Sequence, residues 1–523
     1  MLRLNNLQMP LNATLEDIKK AAAKRLGCAT DGLKNFKIAK KSVDARRKSN
    51  VHFVYSVDCD IPLSAPKNKD IEQLQPQEDL HFNIKDDGVR PIVVGSGPAG
   101  MFAALALAEA GLAPIILERG DDIDTRKKKV DTFWNGGSLN TESNVQFGEG
   151  GAGTFSDGKL MTGIRKDKFT QKVMREFYAA GAPEEILYLA KPHIGTDKLR
   201  YVVKNMRQKI ISLGGEYRFG HKLDSLLLKN NRLEGIVVKH GNETYELAAK
   251  KLFLAIGHSA RDTFEMLHRS GVYMEQKPFA IGARIEHPQA MINLAQYGKE
   301  AAESPHLGAA DYKLAVHLPN GRAAYTFCMC PGGTVVAAAS ENGRLVTNGM
   351  SEFVRDKVNA NAALLVGVDK KDFGSDDVLA GMNFQRKLEE LAFKLGGENY
   401  AAPTQMVGDF LQARPSWHGG DVEPSYLPKV TWSDLGLIFP SDIAETMRAG
   451  IVEMGKKLHG FDRFDAVLTG VETRSSSPVR IVRDETMQCN IRGIFPCGEG
   501  AGYAGGITSS AADALKVVFS LNL

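Results

Sequence analysis

A strand, a glycine-rich turn and a helix of small residues follow one another at residues 91–110, and this run constrains the fold more than any other stretch of the chain. It reads PIVVGSGPAGMFAALALAEA, in which Gly95, Gly97 and Gly100 have the spacing G-x-G-x-x-G. A second apolar run, PIILE, ends in Glu118. Strand, turn, helix and strand form a βαβ unit, so the sequence predicts an α/β domain built on a parallel sheet.

The three glycines have distinct predicted roles at a dinucleotide site. Gly95 would make the tight turn, Gly97 would let the backbone approach a pyrophosphate, and Gly100 would let the helix lie close to the strand. The helix N-terminus would offer free N–H groups and its positive dipole end to the phosphates. Glu118, 18 residues after Gly100, is expected to accept from ribose hydroxyls and to repel a 2′-phosphate. The motif by itself fits NAD and FAD equally well.

Three further glycine-rich segments lie far apart in the chain. They are NVQFGEGGAGTFSDGKL at 144–160, LAIGHSA at 254–260 and GIFPCGEGAGYAGGI at 493–507. Together with GSGPAG and LERG, these segments resemble the flavoproteins of the glutathione-reductase-like FAD superfamily. Nearly the whole chain is similar to the poorly characterised bacterial FAD-dependent dehydrogenases, in which a small α+β domain precedes the flavin domain. The resemblance implies that FAD is the cofactor and that the protein is an oxidoreductase.

The resemblance also implies roles for residues of these segments. Glu499 matches the acid that hydrogen-bonds the ribityl chain, and the helix that begins near Gly506 would point its N-terminus at the flavin pyrimidine edge. This end of a helix dipole favours the negative charge that develops on reduced flavin. Gly257 would pass near the adenosine side. The predicted cofactor-binding residues are Gly95, Ser96, Gly97, Pro98, Ala99, Gly100, Glu118, Arg119, Gly150, Gly151, Gly153, Thr154, Ser156, Gly257, Glu499, Gly506 and Ile507.

Three residues are predicted to act in catalysis. Lys159 would approach the flavin N1/O2 side or a substrate carboxylate, with a solvated surface lysine as the alternative. His258 would donate a proton. Arg474 would hold an anionic group through two parallel hydrogen bonds, with a surface or interdomain ion pair as the alternative.

Other polar residues are candidates for the substrate side, but a surface or interdomain ion pair is the favoured interpretation for each of them. These residues are Arg284, Glu286, His287, Tyr325 and Arg480.

The order of the segments predicts four regions. Residues 1–85 would form a small basic α+β domain with a linker. Residues 86–275 would form the first part of a Rossmann-like FAD-binding domain, with a helical insert at about 166–216. Residues 276–465 would form an inserted α+β substrate or cap domain. Residues 466–523 would complete the FAD-binding domain, which is therefore predicted to be discontinuous.

The N-terminal region is strongly basic. Its first 50 residues carry 12 Lys and Arg against 4 Asp and Glu, a net charge of 12 − 4 = +8, whereas the whole chain carries +4. Such a charge favours nucleic acid as a partner, but no RNA motif with interleaved aromatic residues accompanies it. A solvated basic face is therefore the favoured interpretation.

Motifs that are absent from the sequence limit the kinds of electron transfer that the protein is expected to perform. No second G-x-G-x-x-G follows a strand, so NAD(P)H or another electron donor would react without a dedicated domain. No Cys-x4-Cys follows the first helix, which excludes that route of disulfide reduction. Alternation along a strand would place the sulfurs of Cys328 and Cys330 on one face, either as a redox-active pair or, as the favoured interpretation, as two core thiols.

The remaining observations concern metals and location. The six cysteines include no CxxC pair, so no metal site is expected. No N-terminal apolar segment and no membrane span are seen, so the cytoplasm is the expected compartment.

The sequence therefore predicts an FAD-dependent oxidoreductase. It would transfer a hydride between flavin N5 and an unidentified small-molecule substrate, for which an anion is one candidate. The alternatives are a flavoprotein that binds or acts on RNA through its basic N-terminal domain, and a flavin-binding sensor without turnover.

Overall fold

The computed structural model describes residues 1–62, 68–75, 79–161 and 167–522, and its N-terminal unit is a helix packed on a four-stranded antiparallel sheet. The sheet order is β2-β3-β1-β4. Thr14 begins the helix with a capping box, and Gly27 ends it in the left-handed conformation. The last strand lies in the stretch that the sequence predicted to be a linker. The elements are β1 Leu2–Met9, α1 Leu15–Leu26, β2 Lys34–Asp44, β3 His52–Asp60 and β4 Ile71–Gln73.

The predicted βαβ unit follows, and it leads into three helices and an antiparallel meander. The elements are β5 Ile92–Val94, α2 Pro98–Glu109, β6 Ile115–Glu118, α3 Ile123–Trp134, α4 Lys168–Ala179, α5 Thr196–Ser212, β7 Glu216–Phe219, β8 His221–Lys229, β9 Arg232–His240, β10 Glu243–Ala248, β11 Leu252–Leu254 and α6 Arg261–Arg269. Strands β8 to β10 form the meander.

The inserted domain is built on a seven-stranded sheet of order β14-β15-β18-β13-β21-β19-β20. The elements are β12 Met274–Gln276, β13 Phe279–Pro288, α7 Gln289–Tyr297, α8 Lys299–Ala302, β14 Ala315–His317, β15 Ala323–Cys330, β16 Thr334–Ala337, β17 Thr347–Met350, β18 Asn359–Val368, α9 Lys370–Phe373, α10 Ala380–Leu395, β19 Ala402–Met406, α11 Val407–Leu411, β20 Val430–Trp432, α12 Ser441–Gly455 and β21 Val467–Glu472. Its strands pair antiparallel except β19 with β20.

The C-terminal segment returns to the first sheet. It contains β22 Val479–Ile481, β23 Ile494–Pro496 and α13 Ile507–Phe519. Strand β23 pairs in parallel with β11, which completes a five-stranded parallel sheet of order β23-β11-β5-β6-β7. The sheet is therefore assembled from both ends of the chain, as the glycine-rich segments predicted.

The predicted start of the C-terminal part at residue 466 is wrong. Strand β21 lies in the middle of the cap sheet, between β13 and β19. The chain leaves the parallel-sheet domain at β12 and returns at β22, and these two strands pair with each other. The two points at which the chain passes between these domains therefore lie side by side.

Helix α2 is buried on every side. Residues Ala99 to Ala108 of this helix are buried, because α13 covers the face of α2 that the sheet leaves open. A helix that is apolar all round is stable only in such a sandwich. In the described parts of the chain, no helix has the length and apolarity that crossing a membrane requires.

Candidate functional site

Two glycines of the first turn are required by the protein's own packing. Gly95 has a φ of 95°, and a Cβ atom there would lie 2.3 Å from the carbonyl oxygen of Ala255. A Cβ atom at Gly100 would lie 1.9 Å from the carbonyl oxygen of Gly95. Gly95 therefore permits the tight turn, and Gly100 permits the close approach of the helix to the strand.

At three other glycines, packing within the protein does not require the side chain to be absent. The atom nearest to a Cβ at Gly97 would be the Cα of Gly151, at an ordinary 3.6 Å, and a Cβ at Gly505 would meet nothing within 4 Å. At Gly506 the nearest atom, in Ser509, would be 4.0 Å away. None of the three has a backbone φ that demands glycine. All three line one cavity, so their missing side chains leave room inside it.

The cavity has a volume of about 1860 Å³. Its walls include the first glycine turn, the second glycine-rich stretch, the exit of β11 and the C-terminal glycine segment. A Cβ atom at Gly498 would lie 2.6 Å from the Cβ of Ala99, so the two distant ends of the chain are in contact here. Most ligand pockets measure about 300–1,000 Å³, so this one has room for a dinucleotide and a second molecule.

Most predicted cofactor residues line this cavity. They are Gly95, Ser96, Gly97, Pro98, Ala99, Glu118, Arg119, Gly151, Gly153, Ser156, Gly257, Glu499, Gly506 and Ile507. Gly100, Gly150 and Thr154 are outside the lining and belong to the packing behind it. A Cβ atom at Gly150 would lie 2.2 Å from the Oγ1 of Thr154, so this glycine lets the loop close on itself.

Glu118 links the two glycine turns. Its Oε2 accepts from the backbone N–H and the hydroxyl of Ser96, at 2.9 and 2.7 Å. Its Oε1 accepts from the N–H groups of Gly120 and Gly148, at 2.9 and 3.0 Å. Four protein donors thus occupy the carboxylate, and contact with a ribose remains a prediction.

Arg119 is held beside the same turn. Its guanidinium donates to both oxygens of Asp262 and to Glu142, and it stacks 4.2 Å from the centre of the Phe147 ring. This fixes an extended cationic and aromatic surface at the edge of the cavity.

Arg126 holds the second glycine-rich stretch in place, and no motif of the sequence marks this residue. The side chain is fully buried, and it donates five hydrogen bonds of 2.7–3.2 Å to backbone carbonyls. The accepting residues are Asn144, Val145, Gly148, Glu149 and Gly151. Arg126 belongs to the run RKKK, which alone is typical of a solvated helix face.

The predicted anion-binding edge of Arg474 is already occupied. Its Nε and Nη2 donate to the two oxygens of Glu389 at 3.1 and 3.0 Å, and its Nη1 donates to Ser340 at 2.6 Å. Glu389 also accepts from Arg261, and all of these groups are buried. The ion pair that was the alternative interpretation is therefore present, although Arg474 does line the cavity.

Lys159 is not a solvated surface lysine. Its ammonium contacts Asp157 at 2.8 Å and donates to the carbonyl of Met329, which places it in the cavity wall. Burial opposes its charge, but Asp157 raises the pKa of Lys159. Burial likewise opposes the charge of Asp157, yet Lys159 and Arg355 lower its pKa to about 2. Lys159 is thus a fixed cation.

His258 cannot act as a charged proton donor at neutral pH. Burial, followed by the charges of Arg474, Arg261 and Lys277, lowers the pKa of His258 to about 3. Its Nε2 lies 3.8 Å from the Oε1 of Glu499, and its Nδ1 has no partner. The predicted role is corrected accordingly: the neutral ring can offer only its single N–H.

The substrate-side candidates do not line the cavity. Arg284 is fully buried against Glu472, and Glu286 is buried against Ser425. His287 is also buried and contacts the carbonyl of Phe461. Tyr325 and Arg480 lie outside the described lining as well. Arg284, Glu286 and His287 therefore stabilise the cap sheet, and the ion pair that was the favoured interpretation of Arg284 is present.

No cluster of metal-binding side chains was found in the ranges that the structure covers.

Three stretches of the chain match known families. Residues 90–198 match a family described as an FAD binding domain, and residues 278–475 match one described as FAD-dependent protein, C-terminal domain-like. Residues 1–60 match a domain of unknown function. Fold, cavity and family matches together define the class: this is an FAD-dependent protein, and its cofactor is FAD.

The particular family follows from a full-length relative. The chain is 49% identical over 525 residues to an uncharacterized protein of Clostridium beijerinckii, and the match covers 99% of this chain and 97% of that protein. The chain belongs to the same family as that protein.

Solved structures show only a distant likeness. One is a glycerol-3-phosphate dehydrogenase from Bacillus halodurans complexed with FAD, with 13% identity and a TM-score of 0.35. The match covers 84% of this chain but 65% of that one, slightly less than two thirds of its length. Another is a geranylgeranyl bacteriochlorophyll reductase-like protein from Thermoplasma acidophilum, with 11% identity, a TM-score of 0.35, and coverage of 82% and 76%. Neither likeness is close enough to bear on the reaction.

Proposed function

We propose that the protein is an FAD-dependent oxidoreductase that transfers a hydride between flavin N5 and a small-molecule substrate. The observation that supports this proposal most directly is the set of Gly97, Gly505 and Gly506. These residues leave space that the protein does not use, and they lie on a cavity built from both ends of the chain. A flavin dinucleotide would place its phosphates at one end and its ring at the other.

The residues present fit this cofactor. Helix α2 begins at Pro98 with no side-chain cap, so its N-terminal N–H groups are free for the pyrophosphate. Helix α13 begins at Ile507, likewise without a side-chain cap, and its N-terminus would face the flavin ring. When bound, FAD supplies two-electron chemistry at N5. The protein contributes position, a fixed cation at Lys159 and exclusion of water.

Glu499 would contact the ribityl chain. Burial raises the pKa of Glu499 to about 7, so its carboxyl holds a proton in part of the neutral range. A protonated carboxyl can donate to a ribityl oxygen, whereas a carboxylate can only accept.

The proposal is tested by reducing the flavin of the purified protein under anaerobic conditions. The protein is expected to be yellow, and NADH, NADPH or an organic substrate from a panel that includes organic acids is expected to bleach it. A protein that stays colourless after FAD is added would contradict both cofactor binding and the reaction. A yellow protein that no donor bleaches would favour the flavin-binding sensor.

Replacing Gly97 by alanine should weaken FAD binding without harming the fold. A Cβ atom there meets the protein only at an ordinary 3.6 Å, but it would intrude where the backbone approaches the pyrophosphate. We expect the dissociation constant for FAD to rise at least about tenfold, corresponding to about 1.4 kcal/mol. Equilibrium binding followed by flavin fluorescence measures the change.

Gly367 provides the matched control for this variant. It lies exposed in β18, and a Cβ atom there would meet nothing within 4 Å. Gly367→Ala should bind FAD as the wild type does. Equal affinity in Gly97→Ala and Gly367→Ala would place the phosphates elsewhere.

Because the N-terminal domain is basic, RNA binding through this domain remains an alternative prediction. A gel shift at low salt is the measurement, since binding through Lys and Arg weakens as salt rises. No retardation at low salt would exclude this alternative.

A further inference from the structure

Cys328 and Cys330 lie at the end of β15, where the strand departs from regular geometry. A β-bulge separates the pairing of Phe327 from that of Cys330. Cys328 has a φ of 42°, in the left-handed region that residues other than glycine seldom adopt. The Sγ of Cys330 lies 3.3 Å from the carbonyl oxygen of Cys328. The regular alternation that the sequence predicted is therefore wrong at this point.

The bulge brings Cys328 to the cofactor cavity. Phe327, Cys328 and Met329 line the same cavity as the glycine segments, and Cys328 is only partly buried. Cys330 lies directly behind it, and both are free thiols. Two residues apart, their Cα atoms can be separated by at most about 7 Å, and disulfides form at Cα separations of about 4.4–6.8 Å.

Two cations face the backbone of this turn. The Lys159 ammonium donates to the carbonyl of Met329, between the two cysteines. The Arg284 guanidinium donates to the carbonyl of Cys328 at 2.8 Å. Both side chains are held by carboxylates, Asp157 and Glu472 respectively, so their positions are fixed.

These surroundings stabilise a thiolate at Cys328. The neighbouring Cys330 thiol, together with Lys159 and Arg284 and against the effect of burial, lowers the pKa of Cys328 below its ordinary range. The charged and titratable groups around it are Lys159, Asp157, Arg284, Cys330, Glu472 and Glu499.

The contrast with other cysteines argues against two inert core thiols. Burial raises the pKa of Cys59 and of Cys489 to about 11, and it also raises the pKa of Cys497. Reactive cysteines occur in electropositive, partly accessible surroundings, whereas structural ones are buried among apolar groups. By its position, Cys328 belongs to the class of reactive cysteines.

We propose that Cys328 and Cys330 form a redox-active dithiol that exchanges two electrons with FAD in this cavity. In the oxidising direction, two electrons and the Cys330 proton leave the thiolate–thiol pair for the oxidised flavin. The S–H bond of Cys330 breaks and one S–S bond forms. Flavin takes up both electrons and the proton as FADH⁻, so the single negative charge passes from Cys328 to the cofactor. The reverse step opens the disulfide.

This arrangement extends the proposed function, and it rests on FAD binding but not on hydride transfer to a substrate. A disulfide or dithiol partner would deliver or receive the electrons by thiol exchange at Cys328, the more accessible sulfur. Cys330, which is fully buried, would be the resolving thiol.

An anaerobic electron titration tests the pair. The FAD-loaded protein is treated with diamide, freed of excess reagent and reduced with dithionite while flavin absorbance is followed. The wild type should take up four electrons per FAD, whereas Cys328→Ala and Cys330→Ala should take up two. Cys489→Ser, a buried cysteine that does not line the cavity, should behave as the wild type.

Mass spectrometry supplies a readout independent of turnover. After diamide treatment, N-ethylmaleimide should fail to label Cys328 and Cys330, and reduction should restore both labels. Uptake of two electrons with both cysteines still labelled would overturn the proposal, as would labelling of Cys330 alone. Failure of cofactor binding is distinguishable, because no variant would then show flavin absorbance.

The pH dependence of alkylation provides a second test. The labelling rate of Cys328 by iodoacetamide should reach half its maximum at a pH below the ordinary thiol value of about 8.5, and Cys330→Ala should shift this midpoint upward. A wild-type midpoint near 8.5 would contradict the thiolate.

Discussion

Replacing Arg126 by methionine is expected to abolish FAD binding at micromolar concentrations while leaving the cap domain folded. The guanidinium donates to five buried carbonyls of the second glycine-rich stretch, and methionine fills a similar volume without any donor. Each buried polar group left unpaired costs about 1–3 kcal/mol, so the loop would relax to find other partners. Loss of about 3–5 kcal/mol in binding raises a dissociation constant by about two to three and a half orders of magnitude.

The measurement is equilibrium binding of FAD to the apoprotein, with circular dichroism to verify the fold. Lys127→Met is the matched control, because Lys127 is the next residue on the same helix and forms a surface pair with Asp131. Surface pairs of this kind contribute about 0–1 kcal/mol, so the control should bind FAD as the wild type does. If Arg126→Met retained wild-type affinity, the guanidinium would not be what shapes this loop.

Replacing Glu389 by glutamine should be the most destabilising single-atom change in the cap domain. This fully buried carboxylate accepts five hydrogen bonds of 2.7–3.1 Å, from Arg261, Thr473 and Arg474. Burial opposes its charge, but the two arginines hold its pKa far below the ordinary range. Glutamine removes the charge and turns one acceptor into a donor that faces a guanidinium, so we expect a loss of about 3–5 kcal/mol.

Urea-induced unfolding, monitored by tryptophan fluorescence, measures the loss. Because the folded pKa is depressed, the stabilisation is present above the ordinary glutamate value of about 4.3 and is lost only as the pH falls towards the folded pKa. The difference between the variant and the wild type should therefore be the same at pH 6 and pH 8. Glu390→Gln is the control, since Glu390 is exposed and pairs with Arg344 at the surface. If the two variants were equally stable, the buried ion pairs of Glu389 would contribute no more to the free energy of unfolding than the surface pair of Glu390 does.

The glycine turn shows what could be predicted about the fold. The spacing from Gly95 to Gly100, with apolar strands on either side, predicted β5, α2 and β6 almost residue by residue. The C-terminal glycines predicted that β23 would join the same sheet. The boundary of the cap domain was misplaced because β21 is an apolar strand like those of either sheet, and only its pairing partners decide where it lies.

The candidate site was predicted less completely. Positions identified by glycine were found at the cavity, because backbone shape is read from the residue itself. The partners of the charged candidates could not be predicted: Arg474 lines the cavity and Arg284 does not, yet each is bonded to a buried carboxylate, Glu389 or Glu472 respectively. Arg126 was not singled out from the charged residues around it.

The sequence by itself determined the βαβ unit and the glycine positions, because these depend on backbone conformation and on contacts a few residues apart, and its resemblance to known flavoproteins indicated FAD. Tertiary structure alone decided which charges are buried and with what partner. Arg474 meets Glu389 85 positions away, and Arg284 meets Glu472 188 positions away. It also decided that Cys328 faces the cavity, through a single bulge whose pairing partner lies on another strand. An ion pair between distant residues forms only where the fold removes both groups from water, and no local pattern encodes that.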